Sequence, residues 1–258
     1  MRAFLLAAGL GSRLRPLTDR TPKCLLPVGG RPMLAMWLDR LGEWGVTDAL
    51  VNTHHLHEQV EAFAREWKRP PRLHLRYEET LLGSAGTLRK NRDFVEGEKR
   101  FLVLYADNLT AFHAPVLAER LEAERASAPL AAMALFRSPR PRDCGIASLD
   151  TRGWVTRFAE KPRAPESDLA NAGIYAFRPE VLDLIPDQSI ADIGHDLIPR
   201  LVPRIIGVEM REPFLDIGTV EAYLEIRDAS FEDWTVVGTP ASSATSQTGR
   251  RAASSKVR

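Results

Sequence analysis

A chain of 258 residues, 44% of them hydrophobic, can bury a sizeable core in one large domain or two small ones. Its 35 basic and 34 acidic side chains leave a formal net charge of +1. That balance excludes the global basic field of a nucleic-acid binder and the acidic excess of a disordered chain.

The first apolar run, Ala3 to Ala8, breaks at Gly9, short of the roughly 7–15 apolar residues of a signal peptide. It reads as a buried strand over Ala3–Ala7. A Gly-rich turn follows, then a helix over Met33–Trp44, with Met33, Met36, Trp37, Leu41 and Trp44 at three- and four-residue steps. Gly45 stops it. Ala49–Asn52 reads as a strand, Glu58–Trp67 as a helix ended by Pro70-Pro71, and Leu73–Tyr77 as a strand. A helix starts over Ala85–Asn91, and Phe101–Tyr105 is a strand apolar throughout, as expected for burial on both faces. Val116–Arg125 reads as a helix and Leu130–Phe136 as a strand. This alternation predicts a Rossmann-like three-layer α/β sandwich with a mostly parallel sheet.

After Pro141 the texture becomes β-rich. Ile146–Leu149 and Trp154–Phe158 flank the turn Asp150-Thr-Arg-Gly153, and Ala172–Phe177 is a strand. Pro179–Ile185 and Ile193–Leu201 read as helical, Ile205–Glu209 as a strand and Val220–Ser230 as a last helix. The expected division is a domain over 1–235, with halves at about 1–140 and 141–235, and a disordered tail over 236–258, rich in Ser, Thr, Ala and Gly.

No stretch approaches the roughly 18 apolar residues of a membrane span, so neither a membrane nor a nucleic acid is an expected partner. Cys24 and Cys144, outside any Cys-x-x-Cys or Cys/His cluster, read as reduced thiols of a cytoplasmic protein.

The chemistry concentrates in a few segments. Gly9 and Gly11 follow a strand directly, where glycine lets a backbone turn its N–H groups toward a ligand. Arg13 and Lys23 supply cations for a polyphosphate. A dinucleotide fingerprint would need a third glycine at Leu14, and the Gly-Lys-Ser/Thr of a Walker A loop is absent. Asp107 stands just past an apolar strand, where ligands of open α/β sheets bind, and suits a hard cation such as Mg²⁺. Asp216, in Phe-Leu-Asp216-Ile-Gly218-Thr, reads equally as a turn aspartate. The turn Glu79–Thr87 opens a helix, with Ser84 as a plausible N-cap. His54, His55 and His57 are adjacent loop residues that point in different directions and lack a carboxylate cluster to complete a metal site.

Gly9, Gly11, Ser12, Arg13, Leu14, Pro16, Leu17, Thr18, Pro22 and Lys23 together resemble the signature of the sugar-1-phosphate nucleotidyltransferases. The resemblance runs over about residues 2–230. It implies that Gly9, Gly11, Ser12 and Arg13 wrap nucleotide phosphates, that Leu6 and Ala8 also bind the nucleotide, and that Arg13 and Lys23 stabilise the transition state. It implies one Mg²⁺ held between Asp107 and Asp216; Ala106 stands where a glycine is common. Glu79, Gly83, Ser84 and Gly86 fall in the segment that lies against the base. Its Leu-Gly-Ser-Ala-Gly form is more similar to the guanylyltransferase branch than to the thymidylyl branch. Gly145, Glu160, Lys161 and Asn171 fall in the segments that hold the sugar and its phosphate. The expected substrates are thus an NTP and a sugar 1-phosphate, GTP with mannose 1-phosphate or a related sugar first and UTP or dTTP with glucose 1-phosphate or an amino-sugar 1-phosphate second; the alternative of another class is a non-catalytic nucleotide-sugar sensor or regulatory subunit. The oligomeric state is open, a homo-oligomer included. Without a hexapeptide repeat, no second acyltransferase activity is expected.

Overall fold

The computed structural model describes residues 1–124 and 127–228; the expected tail over 236–258 lies outside them. In chain order the elements are β1 (Arg2–Leu6), the two-residue strands β2 (Pro27–Val28) and β3 (Arg31–Pro32), α1 (Met33–Glu43), β4 (Asp48–Thr53), α2 (His57–Glu66) and β5 (Arg72–Tyr77). Next come α3 (Ser84–Lys90), β6 (Phe101–Tyr105), β7 (Asn108–Thr110), α4 (Pro115–Ala123) and β8 (Ala131–Arg137). The later part holds β9 (Gly145–Leu149), β10 (Val155–Glu160), β11 (Leu169–Phe177), α5 (Ile198–Leu201), β12 (Ile205–Glu209), β13 (Phe214–Asp216) and α6 (Val220–Ile226).

The strands β5, β4, β1 and β6 lie side by side and parallel. Because β1 leads to β4 on one side and β6 flanks its other side, the direction of winding reverses between β1 and β6. β11 then joins antiparallel to β6, with β8 antiparallel beyond it and β12 parallel to β8. Period-2 alternation splits the core into two layers, since successive strand residues face opposite sides. Ala3, Leu5, Leu102 and Leu104 pack under α1, α2 and α4. Phe4, Phe101 and Val103 pack under α3, Leu197 and Ile198. The hairpin at Asp150–Gly153 is held by the Asp150 carboxylate, which accepts from the N–H groups of Arg152 and Trp154.

Two departures from the helical pattern are local. Pro179–Leu184 is a 3₁₀ helix, and Ile193–Leu197 winds as a π turn before α5. Asp192 caps that turn, accepting from Gly194 N at 2.8 Å and His195 N at 3.0 Å. Among the described residues no helix is long and apolar enough to cross a membrane.

β11 is the strand that joins the two parts of the sheet. Its Ile174–Phe177 half pairs with β6, while Ala170, nearer its start, pairs with Ile146 of β9. β8 occupies the opposite edge, so β6 and β9 share one edge end to end. The register breaks between Asn171 and Tyr175. The carboxyl end of β6 and the start of β9 therefore lie along the same edge of β11.

Candidate active site

Two segments emerge at the winding reversal. The loop after β1 begins beside Ala106, whose N–H donates to Leu6 O at 2.9 Å. In an open α/β sheet such a crevice is where ligands sit. Leu6 ends β1, and Ala8 and Gly9 start the loop. Gly11 takes the left-handed conformation, φ +63°, and leads into the 3₁₀ turn Ser12–Leu14. A methyl group at Gly11 would lie 2.7 Å from Thr18 Cγ2, and the Thr18 hydroxyl donates back to Gly11 O at 2.8 Å. Gly11→Ala is expected to cost about 1–3 kcal/mol, from left-handed strain and displacement of buried Thr18. A lowered urea midpoint with unchanged slope would show it; an unchanged midpoint would refute the argument.

The loop is anchored by its apolar members. Leu14 joins Leu109, Ile217, Met33, Tyr223 and Ile226 in a third buried cluster. Leu14, Leu109 and Ile217 each carry a chain neighbour of chemical interest. Arg13 precedes Leu14, Asn108 precedes Leu109 with Asp107 next to it, and Asp216 precedes Ile217. The antiparallel pair β7–β13 sets Asp216 opposite Asn108, and Ile217 N donates to Asp107 O at 3.1 Å. Asp107 and Asp216 are thereby brought together from distant parts of the chain. Asn108 is itself fixed: its backbone O accepts from Trp37 Nε1 at 2.8 Å, and its Nδ2 donates to Ala172 O at 2.7 Å.

Lys23, buried, donates to Asp107 Oδ2 at 2.6 Å. Arg13 approaches from the other side: a Cβ at Gly218 would lie 3.1 Å from Arg13 Nη2 and 3.1 Å from Asp216 Oδ2. The Asp216 side chain is exposed to solvent. Its pKa is raised, first by loss of water around it and then by the negative charge of Asp107; Lys23, Arg13 and Arg140 oppose the shift. Adjacent carboxylates that resist being charged together suit a divalent cation, and their all-oxygen donor set suits a hard one. No group of three or more His, Cys, Asp or Glu gathers among the described residues.

Cys24, next to Lys23, is buried, and that burial pushes its thiol up to about 12. In folded protein at pH 8, Ellman's reagent is expected to reach the half-buried Cys144 and to spare Cys24 until denaturant is added. Rapid native reaction of both thiols would contradict this.

On the second wall, Glu160 ends β10 opposite Gly145. A methyl at Gly145 would lie 2.4 Å from Glu160 Oε2, so the glycine makes room for the carboxylate. Burial raises the Glu160 pKa first, and the charge of Asp192 raises it further, against Lys161 and His195. Lys161 follows in a left-handed conformation, φ +47°, with its N–H donated to Cys144 O. Asn171 engages both ends of its amide within β11, donating to Tyr175 OH at 2.6 Å and accepting from Gly173 N at 3.0 Å.

On the third wall, Gly83 is the N-cap of α3, and Ser84 is its first helical residue rather than the cap. Ser84 Oγ donates to Asp192 Oδ2 at 2.8 Å. Glu79 is exposed on the turn after β5, whereas its neighbour Glu78 is buried. Glu78 accepts from Asn52 Nδ2 at 3.0 Å, Thr87 Oγ1 at 2.5 Å and Leu82 N at 3.2 Å. Asn52 Oδ1 in turn accepts from Ala7 N at 2.7 Å, tying this turn to the loop after β1. Sequence reasoning missed this network. Its signal was a lone asparagine closing the apolar run Ala49–Val51. The histidines diverge: His54 meets Glu78 O and His55 meets Thr18 O, while His57, read as a loop residue, opens α2 and meets Glu61.

A Gly-rich loop at the winding reversal, cations beside it and two facing carboxylates are the layout of an open α/β fold built around a phosphorylated ligand. The chain belongs to the nucleotidyl transferase family, whose family model matches residues 2–232. It is 32% identical over 241 residues to a UTP–glucose-1-phosphate uridylyltransferase of Synechocystis sp., covering 86% of this chain and 61% of that protein. It is 28% identical over 231 residues to a mannose-1-phosphate guanyltransferase of Saccharomyces cerevisiae, covering 87% of this chain and 63% of that one. The chain thus spans less than two thirds of these relatives' length. A Bacillus anthracis structure described as a glucose-1-phosphate thymidylyltransferase with sucrose superposes with TM-score 0.73 at 27% identity, covering 90% of this chain and 97% of that chain.

Proposed function

We propose that the chain transfers a nucleoside monophosphate from an NTP to a sugar 1-phosphate, releasing pyrophosphate. The observation that carries this reading is the convergence of Asp107, Asp216, Lys23 and Arg13 at the mouth of the loop after β1. Gly9, Gly11 and Ser12 hold the nucleotide phosphates and Leu6 and Ala8 line the nucleotide site, with Gly83, Ser84, Gly86 and Glu79 toward the base. Gly145, Glu160, Lys161 and Asn171 hold the sugar and its phosphate across the cleft. A phosphate oxygen of the sugar 1-phosphate attacks the α-phosphorus in line with departing pyrophosphate. That oxygen is largely ionised near neutral pH, because the second pKa of a phosphate monoester is about 6, so no general base is required. Catalysis then rests on positioning and charge stabilisation by Arg13 and Lys23. Mg²⁺, held by Asp107 and Asp216, would neutralise charge on the phosphates.

For the substrates we favour GTP with mannose 1-phosphate, on the Leu82-Gly-Ser-Ala-Gly86 turn. UTP or dTTP with glucose 1-phosphate is the second reading, favoured by the Synechocystis and Bacillus matches. A pyrophosphate-release assay crossing GTP, UTP, dTTP, ATP and CTP with mannose, glucose, N-acetylglucosamine and heptose 1-phosphates separates them. One pair well above the rest supports the reaction and names the substrates. No release from folded protein, with nucleotide binding retained in calorimetry, would replace the reading by a non-catalytic sensor.

A further inference from the structure

The Ala191–His195 segment touches two walls of the cleft within five residues. Toward the base-side turn, Ala191 O accepts from Ala85 N at 2.9 Å and Gly86 N at 3.0 Å, and Ala191 N donates to Leu82 O at 2.9 Å. The approach has no slack, since a methyl at Gly83 would lie 2.3 Å from Ala191 O. Toward the sugar-side wall, Gly194 packs on the Glu160 carboxylate: a methyl there would lie 2.4 Å from Glu160 Oε2. Glu160 is therefore clamped between Gly145 and Gly194.

Asp192 joins the two contacts. Its Oδ1 accepts from Gly194 N and His195 N, while its Oδ2 accepts the Ser84 hydroxyl proton. Ser84 Oγ accepts in return from Ile193 N at 2.8 Å. One carboxylate thus fixes the base-side turn with one oxygen and the backbone under Glu160 with the other. We infer that Asp192 is a positioning residue that couples the nucleotide-side turn to the sugar-side wall, so that a change at Ser84 is felt by the sugar 1-phosphate. The inference rests on the proposed reaction.

The competing account is a cap that acts on the Ile193–Leu197 turn alone. Asp192→Asn separates the two. Asparagine caps a helix about as well as aspartate through its remaining oxygen. Its amide group in place of Oδ2 removes the charged acceptor of the Ser84 proton and leaves at most a weaker, reversed N–H···Oγ contact. We expect Asp192→Asn to raise KM for the sugar 1-phosphate about tenfold, with kcat within about threefold of wild type. Ser84→Ala, made on the nucleotide side, is expected to raise the same KM by a similar factor. The double variant is expected to go little further, because both changes break one link. A sugar KM within twofold of wild type in folded Asp192→Asn, or single effects that multiply in the double variant, would overturn the proposal. Should Asp192→Asn not fold, Ser84→Ala, which deletes a single oxygen, decides by the same KM. Wild type silent with every substrate pair would instead remove the reaction itself, and the proposal with it.

Discussion

Asp107→Asn is expected to lower kcat by about 10³-fold or more in protein that remains folded. The substitution keeps the shape of the side chain and removes its charge. Asp107 is held at the carboxyl end of β6 by its backbone, through Ile217 N, and not by its carboxylate, so the β7–β13 pair survives the change. What is lost is half of the carboxylate pair that suits a divalent cation, and a bound metal contributes several kcal/mol to charge stabilisation at a phosphoryl centre; about 4 kcal/mol is three decades in rate. The folding cost is smaller. Lys23 is buried and loses its partner, but Asp107 is more than a third exposed, so the expected destabilisation is about 1–3 kcal/mol, between that of a surface and a buried pair. Turnover, Mn²⁺ binding by calorimetry and thermal melting, measured together, check the claim. Near-normal turnover in folded Asp107→Asn would remove Asp107 from the metal site.

Lys23→Ala is expected to lower kcat by about 10²–10³-fold, the range seen when one preorganised donor to a developing phosphate or oxyanion charge is removed. Lys23 reaches Asp107 Oδ2 at 2.6 Å from a buried position, so its ammonium is fixed at the carboxylate pair before any ligand arrives. Lys23→Arg is not expected to restore the rate, since a planar guanidinium needs more room than this buried point charge has. Mn²⁺ is expected to bind Lys23→Ala at least as tightly as wild type, because the lysine competes for the same oxygen. Weaker Mn²⁺ binding would mean that Lys23 acts by holding Asp107 in place.

The strongly periodic elements were legible in the sequence because apolar alternation reports burial directly. β6 and β12 fall where the pattern puts them, and β1 is shifted by one residue. Asp107 was legible too, as a carboxylate just past an all-apolar strand. Its partner was not legible from the residues alone. β13 is three residues long, too short for a period to show, and by itself Asp216 read equally as a turn aspartate. Family resemblance paired the two; the β7–β13 ladder is the physical reason they meet.

By itself, then, the sequence determined the α/β class, the Gly-rich loop after the first strand and the residue types a phosphate site needs, because each is written in local spacing. The tertiary structure decided what depends on contacts between distant segments. It brought Asp216 beside Asp107 and seated Glu160 between Gly145 and Gly194. It buried Glu78 rather than Glu79, in a network with Asn52 and Thr87. It turned Ser84 from a cap into a link to Asp192, more than a hundred residues away. Such pairings follow from how two faces of a sheet fill with side chains, and no local period encodes that packing.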